Sequence, residues 1–363
     1  MKSFVIGRIS GIQIELHSTF VLFVLFLFLL IAVFDSSNLI GSITLIAFLF
    51  TSVFFHELSH SMVSISKKIK VKKIILLPIG GMALTENFPE DPKQEFLISV
   101  AGPLFNFAVV ILLAALVSLF DFIPFPWDFL EKGIDFSLMN YPVFALMYVN
   151  LMLGSFNLLV PALPLDGGRV WRSLLAIPFG KTKATKFIAK LSELIALILF
   201  VAAVFGGGII LALIAVFIFF ASKQENEIQQ MKETLKGVKL DSIIKKKIPM
   251  LEKNMNFNEL LELMKEKNIH AFFIREKNKI KYIDLELIKK INPKKWEKTM
   301  VLQASAEIHP IPENSRAENA MQAFMQTNYE LIAVQAKGKI TGIIERKEMQ
   351  KLFELMKTKK EKK

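Results

Sequence analysis

Five long apolar stretches fill the first 222 residues of this 363-residue chain, and no other feature constrains its folding as much. A hydrocarbon core of roughly 30 Å takes about 20 apolar residues in a helix. In that solvent every backbone N–H and C=O must be paired by the protein itself. Residues 19–34, 39–65, 96–120 and 141–165 meet or nearly meet the length, and 194–220 exceeds it but is interrupted by Gly206, Gly207 and Gly208. The remainder is of another kind. Residues 223–363 hold 30 of the 45 Lys and Arg and 20 of the 33 Asp and Glu, a formal charge of +10 against +2 for residues 1–222. The chain therefore divides into a membrane domain (1–222), a linker (223–236) and a soluble domain (237–363).

Hydrophobic residues make up 53% of the chain and the mean hydropathy is +0.44, which excludes an ordinary soluble protein. Cysteine is absent, so neither a disulfide framework nor a thiolate metal ligand is available. By charge alone the basic soluble half suits anionic lipid headgroups or nucleic acid. Its lysines are not interleaved with aromatic residues, so they read as a solvated surface, and nucleic acid is not expected as a partner. The N-terminal Lys2 and Arg8 followed by an apolar run have the outline of a signal peptide. No small-residue cleavage site follows the run, and Glu15 and His17 lie in its approach, so it reads as the first span.

Positive charge beside the spans sets the orientation. Lys67, Lys68, Lys70, Lys72, Lys73 and Lys93 follow the second span; Arg169, Arg172, Lys181, Lys183, Lys186 and Lys190 follow the fourth. Both segments are expected on the cytoplasmic side. The opposite loops carry no basic residue (35–38) or only Lys132 against Asp121, Asp128, Glu131 and Asp135 (121–140). The N-terminus is then inside. A turn at the three glycines gives six spans, with the fifth helix beginning near Ala184, and places the Lys-rich domain in the cytoplasm. Residues 71–84 alternate apolar and charged side chains and read as a short β hairpin at the membrane surface. In the soluble half, 257–264 and 317–325 have the spacing of amphipathic helices. Residues 260–283 and 320–344 form two similar units of helix, strand, turn and strand, with turns at Asn278 and Gly338. The expected fold is a polytopic α-helical membrane protein followed by an α/β soluble domain.

Near the cytoplasmic end of the second span lies His56-Glu57-Leu58-Ser59-His60. Histidines at i and i+4 stand one above the other on one helix face, where both imidazoles reach one metal ion. Glu57 is rotated by about 100° and approaches a water at that ion without ligating it. Catalytic zinc takes a third protein ligand and keeps an open position. The candidate is Asp166, in Pro164-Leu165-Asp166-Gly167-Gly168-Arg169 after the fourth span, because the second and fourth spans run in the same direction and bring His60 and Asp166 to similar depth. Charged groups in a span are functional by default. Of the other histidines, His17 is expected to anchor the membrane interface, and His270 and His309 lack ligand spacing.

The chain resembles the site-2 proteases, zinc intramembrane metalloproteases of peptidase family M50 that include the stage IV sporulation protease. The resemblance rests on Glu15-Leu16-His17-Ser18-Thr19-Phe20, the His56–His60 motif, Leu77-Pro78-Ile79-Gly80-Gly81, Ala101-Gly102-Pro103-Leu104, and Phe156-Asn157 through Arg169. It implies one zinc ion held by His56, His60 and Asp166, with Glu57 as base and Asn157 assisting substrate or oxyanion binding. It implies hydrolysis of a peptide bond in or near a transmembrane segment of a membrane-anchored protein. In the family the asparagine motif reads Asn-Leu-Ile-Pro, whereas here Asn157-Leu158-Leu159-Val160-Pro161 holds one residue more. Gly80 and Gly81, after a short strand, suit edge pairing with an extended substrate. The soluble half resembles a tandem cystathionine-beta-synthase (CBS) pair, which implies an adenine nucleotide site and a homodimer. Where such pairs carry Ser or Thr and Asp, this chain reads Asp284-Leu285-Glu286 and Glu345-Arg346-Lys347-Glu348. The rival readings are a metal transporter or channel with a regulatory CBS pair, and an inactive membrane scaffold.

Overall fold

The computed structural model describes residues 3–34, 39–78, 80–85, 89, 91–119, 141–206, 208–246, 248–252, 255–267, 269–276, 279–289, 291–292, 296, 300–308, 310–327, 329–337 and 339–361. The loops 35–38 and 121–140, His309, and the turns at Asn278 and Gly338 lie outside the described residues. The chain forms two compact units, Met1–Glu227 and Ile228–Lys363.

The first unit opens with strands β1 (Ser3–Ile9) and β2 (Ile12–His17), which run straight into helix α1 (Ser18–Phe34). After α2 (Leu39–Ser66) come β3 (Val71–Leu77) and β4 (Gly80–Thr85). The hairpin expected at 71–84 is thus half of a four-stranded sheet in the order β1-β2-β3-β4, with β2 and β3 parallel. Ile12, Ile14, Ile74 and Leu76 are buried with Phe20 of α1, and Phe50 and Phe54 of α2 pack against them, so the sheet lies directly on these two helices. The alternation of β2 supplies the inward face. Lys73 of β3 reaches across to the buried Glu15 carboxylate of β2 at 2.9 Å.

Helices α3 (Pro92–Leu119) and α4 (Pro142–Leu159) follow. The fourth apolar stretch, expected to run to residue 165, stops at Leu159: Val160 is extended, and Pro161 and Pro164 cannot donate to a continuing ladder. A separate amphipathic helix, α5 (Asp166–Phe179), occupies the basic segment after it, for which the sequence reading set an orientation and no secondary structure. α6 (Lys181–Gly206) begins three residues before Ala184, and the glycine break separates it from α7 (Ile209–Leu235). The segment 223–236, expected as a linker, is helical through Leu235. Five of these helices are long and apolar enough to cross a membrane, and α1, at 17 residues, is a shorter apolar helix. α2 buries Ser52, His56, His60 and Ser64, a polar stripe at every fourth residue, and exposes Ile40, Phe55, Met62 and Ile65. Its apolar face meets lipid and its polar face meets protein.

The second unit repeats one pattern twice. In the first repeat β5 (Met250–Leu251) and α8 (Phe257–Lys267) precede the hairpin β6 (Ala271–Glu276) and β7 (Lys279–Asp284), followed by the short helices α9 (Leu285–Ile288) and α10 (Val301–Ala304) and by β8 (Ala306–Glu307). In the second, β9 (Ile311–Pro312) and α11 (Ala317–Gln326) precede β10 (Leu331–Ala336) and β11 (Lys339–Glu345), and α12 (Arg346–Glu361) follows. The short strand of each repeat runs parallel to the first hairpin strand. β6 is buried on both faces: Phe272 and Ile274 enter the core of their own repeat, and Ala271 and Phe273 join Leu331, Ala333 and Ile343 of the other.

Candidate metal centre

His56 and His60 occupy successive turns of α2, and their Nε2 atoms lie 3.1 Å apart. Asp166 Oδ2 is 3.0 Å from the first and 3.1 Å from the second. All three residues are more than nine-tenths buried. The Nδ1 atoms point outward from the cluster. His60 Nδ1 donates to the Ile98 carbonyl and His56 Nδ1 to Asn106 Oδ1, each at 2.6 Å, so both Nε2 lone pairs face Asp166. A tetrahedral zinc with bonds of ~2.0–2.1 Å has ligand atoms about 3.3 Å apart. Two imidazoles and a carboxylate converging at nearly that spacing fit zinc, which accepts nitrogen and oxygen donors without geometric strain.

A second layer of polar residues holds the histidines. Asn106 Nδ2 donates to Asn150 Oδ1 at 2.8 Å, and Asn150 Nδ2 donates to Ser52 Oγ at 3.0 Å, a buried chain through α3, α4 and α2. Gly102 of α3 lies beneath the imidazoles: a Cβ there would collide with His60 Nε2 and stand 2.7 Å from His56 Nε2. The sequence reading named Gly102 only within a matching motif and overlooked Asn106 and Asn150. Their signal was a carboxamide inside an apolar span, which needs a partner.

Asp166 opens α5, where a carboxylate complements the helix dipole. The turn that delivers it is held from both sides. Leu163 N–H donates to Ser192 Oγ of α6 at 2.8 Å. Gly167 and Gly168 lie against the backbone of 158–163 with no space for a Cβ, so the helix starts hard against the segment it follows. Two turns further on, Arg172 is buried between two acids. Its Nε donates to Glu95 of α3 and its Nη1 to Glu225 of α7, each at 2.7 Å, and Lys181 of α6 reaches the other Glu95 oxygen at 2.8 Å. α3 supports the histidines and α5 carries Asp166, so this network fixes one helix against the other.

Glu57 is half-buried beside the cluster and lies against β4, where a Cβ at Gly81 would overlap its side chain. Gly80 has φ +137°, a conformation that only glycine adopts readily, and a Cβ there would meet nothing within 4 Å. Asn157 is half-buried near the end of α4, and no side-chain hydrogen bond engages it among the described residues. His17 Nδ1 pairs with Thr19 Oγ1 at 2.6 Å at the start of α1, and His270 is exposed.

The sequence model of peptidase family M50 matches residues 44–129 and 131–202. A zinc metalloprotease of Methanocaldococcus jannaschii is 31% identical over 361 residues, which cover 98% of this chain and 97% of the relative. Among solved structures, a site-2 protease from Methanocaldococcus jannaschii is 37% identical, covers 62% of this chain and 95% of its own, and superposes with a TM-score of 0.47. A CBS-domain protein from Agrobacterium tumefaciens is 14% identical, covers 34% of this chain and 91% of its own, and gives a TM-score of 0.29. Agreement over nearly the whole of both sequences extends well past the histidine motif, and with it the chain belongs to peptidase family M50, as an intramembrane zinc metalloprotease.

Proposed function

We propose that His56, His60 and Asp166 hold one zinc ion per chain and that Glu57 is the base in hydrolysis of a peptide bond in or near a transmembrane segment of a membrane-anchored protein. The observation that carries this is the convergence of two Nε2 atoms and one carboxylate oxygen within 3.1 Å of one another, one residue from an acid that takes no part in the cluster. When bound, zinc supplies Lewis acidity that makes water a nucleophile near neutral pH and polarises the scissile carbonyl. Glu57 takes the proton of the attacking water and returns it to the departing amine. A transporter has no use for such a base, and an inactive scaffold has no reason to keep it.

The substrate must be extended where it is cut, because a helical peptide bond is shielded by its own hydrogen bonds. β4 is the last strand in the order of its sheet, and Gly81 on it lies against Glu57. A segment added to that edge would run past the base. Asn157 keeps a supporting role toward the same segment, with no side-chain hydrogen bond holding its carboxamide among the described residues. The distribution of lysine and arginine supports a cytoplasmic side for the N-terminus, the mouth of the zinc site and the C-terminal unit.

For the CBS-like pair the reading favoured is association of two copies of the chain. Adenine nucleotide binding, the other implication, meets an Asp284 already engaged. Its Oδ1 accepts from Leu287 N–H at 2.9 Å to cap α9, and its Oδ2 accepts from Tyr282 O–H at 3.0 Å. In the second repeat Arg346 donates to the Phe324 and Thr327 carbonyls at the end of α11.

The test is Glu57→Gln in the full chain, purified in detergent, with bound zinc and cleavage of a transmembrane peptide measured together. Zinc should stay at one per chain while the rate falls by about 10²-fold or more. A variant that cleaves as fast as wild type would overturn the assignment.

A further inference from the structure

A second arginine, Arg169, precedes Arg172 on the helix that Asp166 opens. Arg169 is one turn after Asp166 on α5, so the two side chains leave the same face of the helix. Its Nε is buried and has no hydrogen-bond partner, and no ion pair engages its guanidinium among the described residues. Arg172, three residues on, shows the contrast, with acids at both ends of its guanidinium. Asp166 Oδ2 lies 3.0 and 3.1 Å from the histidines on either side of Glu57 in the motif, so a group one helical turn from Asp166 is in the neighbourhood of the base.

The donors that hold the two histidines are committed. Both Nδ1 protons go to Asn106 and Ile98, Asn106 donates to Asn150, and Asn150 donates to Ser52. Leaving a buried donor without a partner is costly, and more so when it is charged. Such a cost is recovered when a ligand brings an acceptor. The acceptor that peptide hydrolysis brings is the scissile carbonyl oxygen, on which negative charge accumulates as water adds to the carbon. A guanidinium keeps its proton at any pH the enzyme meets, and it presents several N–H groups in one plane.

We propose that Arg169 donates to the carbonyl oxygen of the bond being cut and stabilises the charge that forms there. This rests on Glu57 being the base. Water oxygen bonds to the carbonyl carbon while the C=O electron pair moves onto oxygen. Collapse of that pair breaks the C–N bond, and Glu57 delivers the water proton to the amine. Arg169 neither gains nor loses a proton in either step.

The experiment compares Arg169→Ala, Arg169→Gln and Glu57→Gln with wild type in the full chain. The substrate is a synthetic transmembrane peptide in detergent micelles; kcat, KM and bound zinc are measured separately. Arg169→Ala should lower kcat by about 10²–10³-fold with little change in KM, as for loss of one oxyanion donor. Zinc should stay at one per chain, and added guanidinium salt should restore part of the rate. Wild-type kcat, a rise confined to KM, or loss of zinc would each overturn the proposal. If Arg169→Ala does not fold, Arg169→Gln decides by the same criteria. An active Glu57→Gln would refute the underlying mechanism, whereas an inactive one beside an active Arg169→Ala would refute only the role of Arg169.

Discussion

An imidazole that binds metal through Nε2 needs its Nδ1 proton held elsewhere, and α3 meets that need for both histidines. The Ile98 carbonyl is backbone and survives any substitution; the Asn106 carboxamide does not. Asn106→Leu is therefore expected to release His56 in its ring orientation and strand the Asn150 carbonyl oxygen that Asn106 satisfied. Loss of such an outer partner costs about 10–100-fold in metal affinity. Competition with a chromophoric chelator should show that drop, and an unchanged zinc affinity would sink the idea. His56, Glu57 and His60 were legible in sequence because one helical period relates them. Asp166 became legible once the direction of the spans was known. Asn106 and Asn150 were not, since nothing in a single sequence says which face of α3 or α4 meets α2. The same limit affects Asn157, singled out by its motif, whereas the carboxamides that the fold places around the histidines are those of Asn106 and Asn150.

At the scale of elements, the spans were read nearly to their ends, and the departures have local causes. β1 and β2 passed unnoticed because their apolar residues merge into the run-up of α1. Their role also depends on the parallel pairing of β2 with β3, sixty residues away along the chain. α5 had no expected structure, because Arg169 and Arg172 entered the sequence reading only as topogenic charges. The helix instead turns Arg172, Ser173 and Ala176 inward and leaves Trp171, Leu174 and Ile177 exposed. Its buried ion pairs give a test of how α5 is held. Arg172→Met keeps an unbranched apolar stem without the guanidinium and leaves Glu95 paired with Lys181. Removing one partner from a buried pair costs about 3–5 kcal/mol, mostly from the stranded charge. Thermal unfolding in micelles should show a clear loss of stability. Adding Glu95→Gln should return part of it, and a double variant no better than Arg172→Met alone would contradict this account.

At the scale of the whole molecule, lipid removes the usual drive for helices to associate, because a side chain facing hydrocarbon gains little by burial against another helix. Polar contacts and close approach hold the first unit together instead. The Ser52, Asn150, Asn106 and His56 chain joins three helices, and the Arg172 network joins α5 to α3 and α7. Every one of these residues, together with Glu57 and Asp166, falls within Met1–Glu227. Met231 and Leu235 at the end of α7 pack with Leu240 and Phe324, in the core of the second unit. A chain cut after Gln230 therefore keeps the Glu225 ion pair, a further turn of α7, and His56, Glu57, His60 and Asp166 together. It is expected to bind one zinc and to retain cleavage that Glu57→Gln abolishes. The second unit has its own cores. If it pairs two copies of the chain, light scattering should give a dimer for the full protein and a monomer for the shortened one. ATP or AMP should leave both masses unchanged. A shortened chain without zinc would show that the first unit does not fold alone, and a monomeric full chain would remove association as the role of the CBS-like pair.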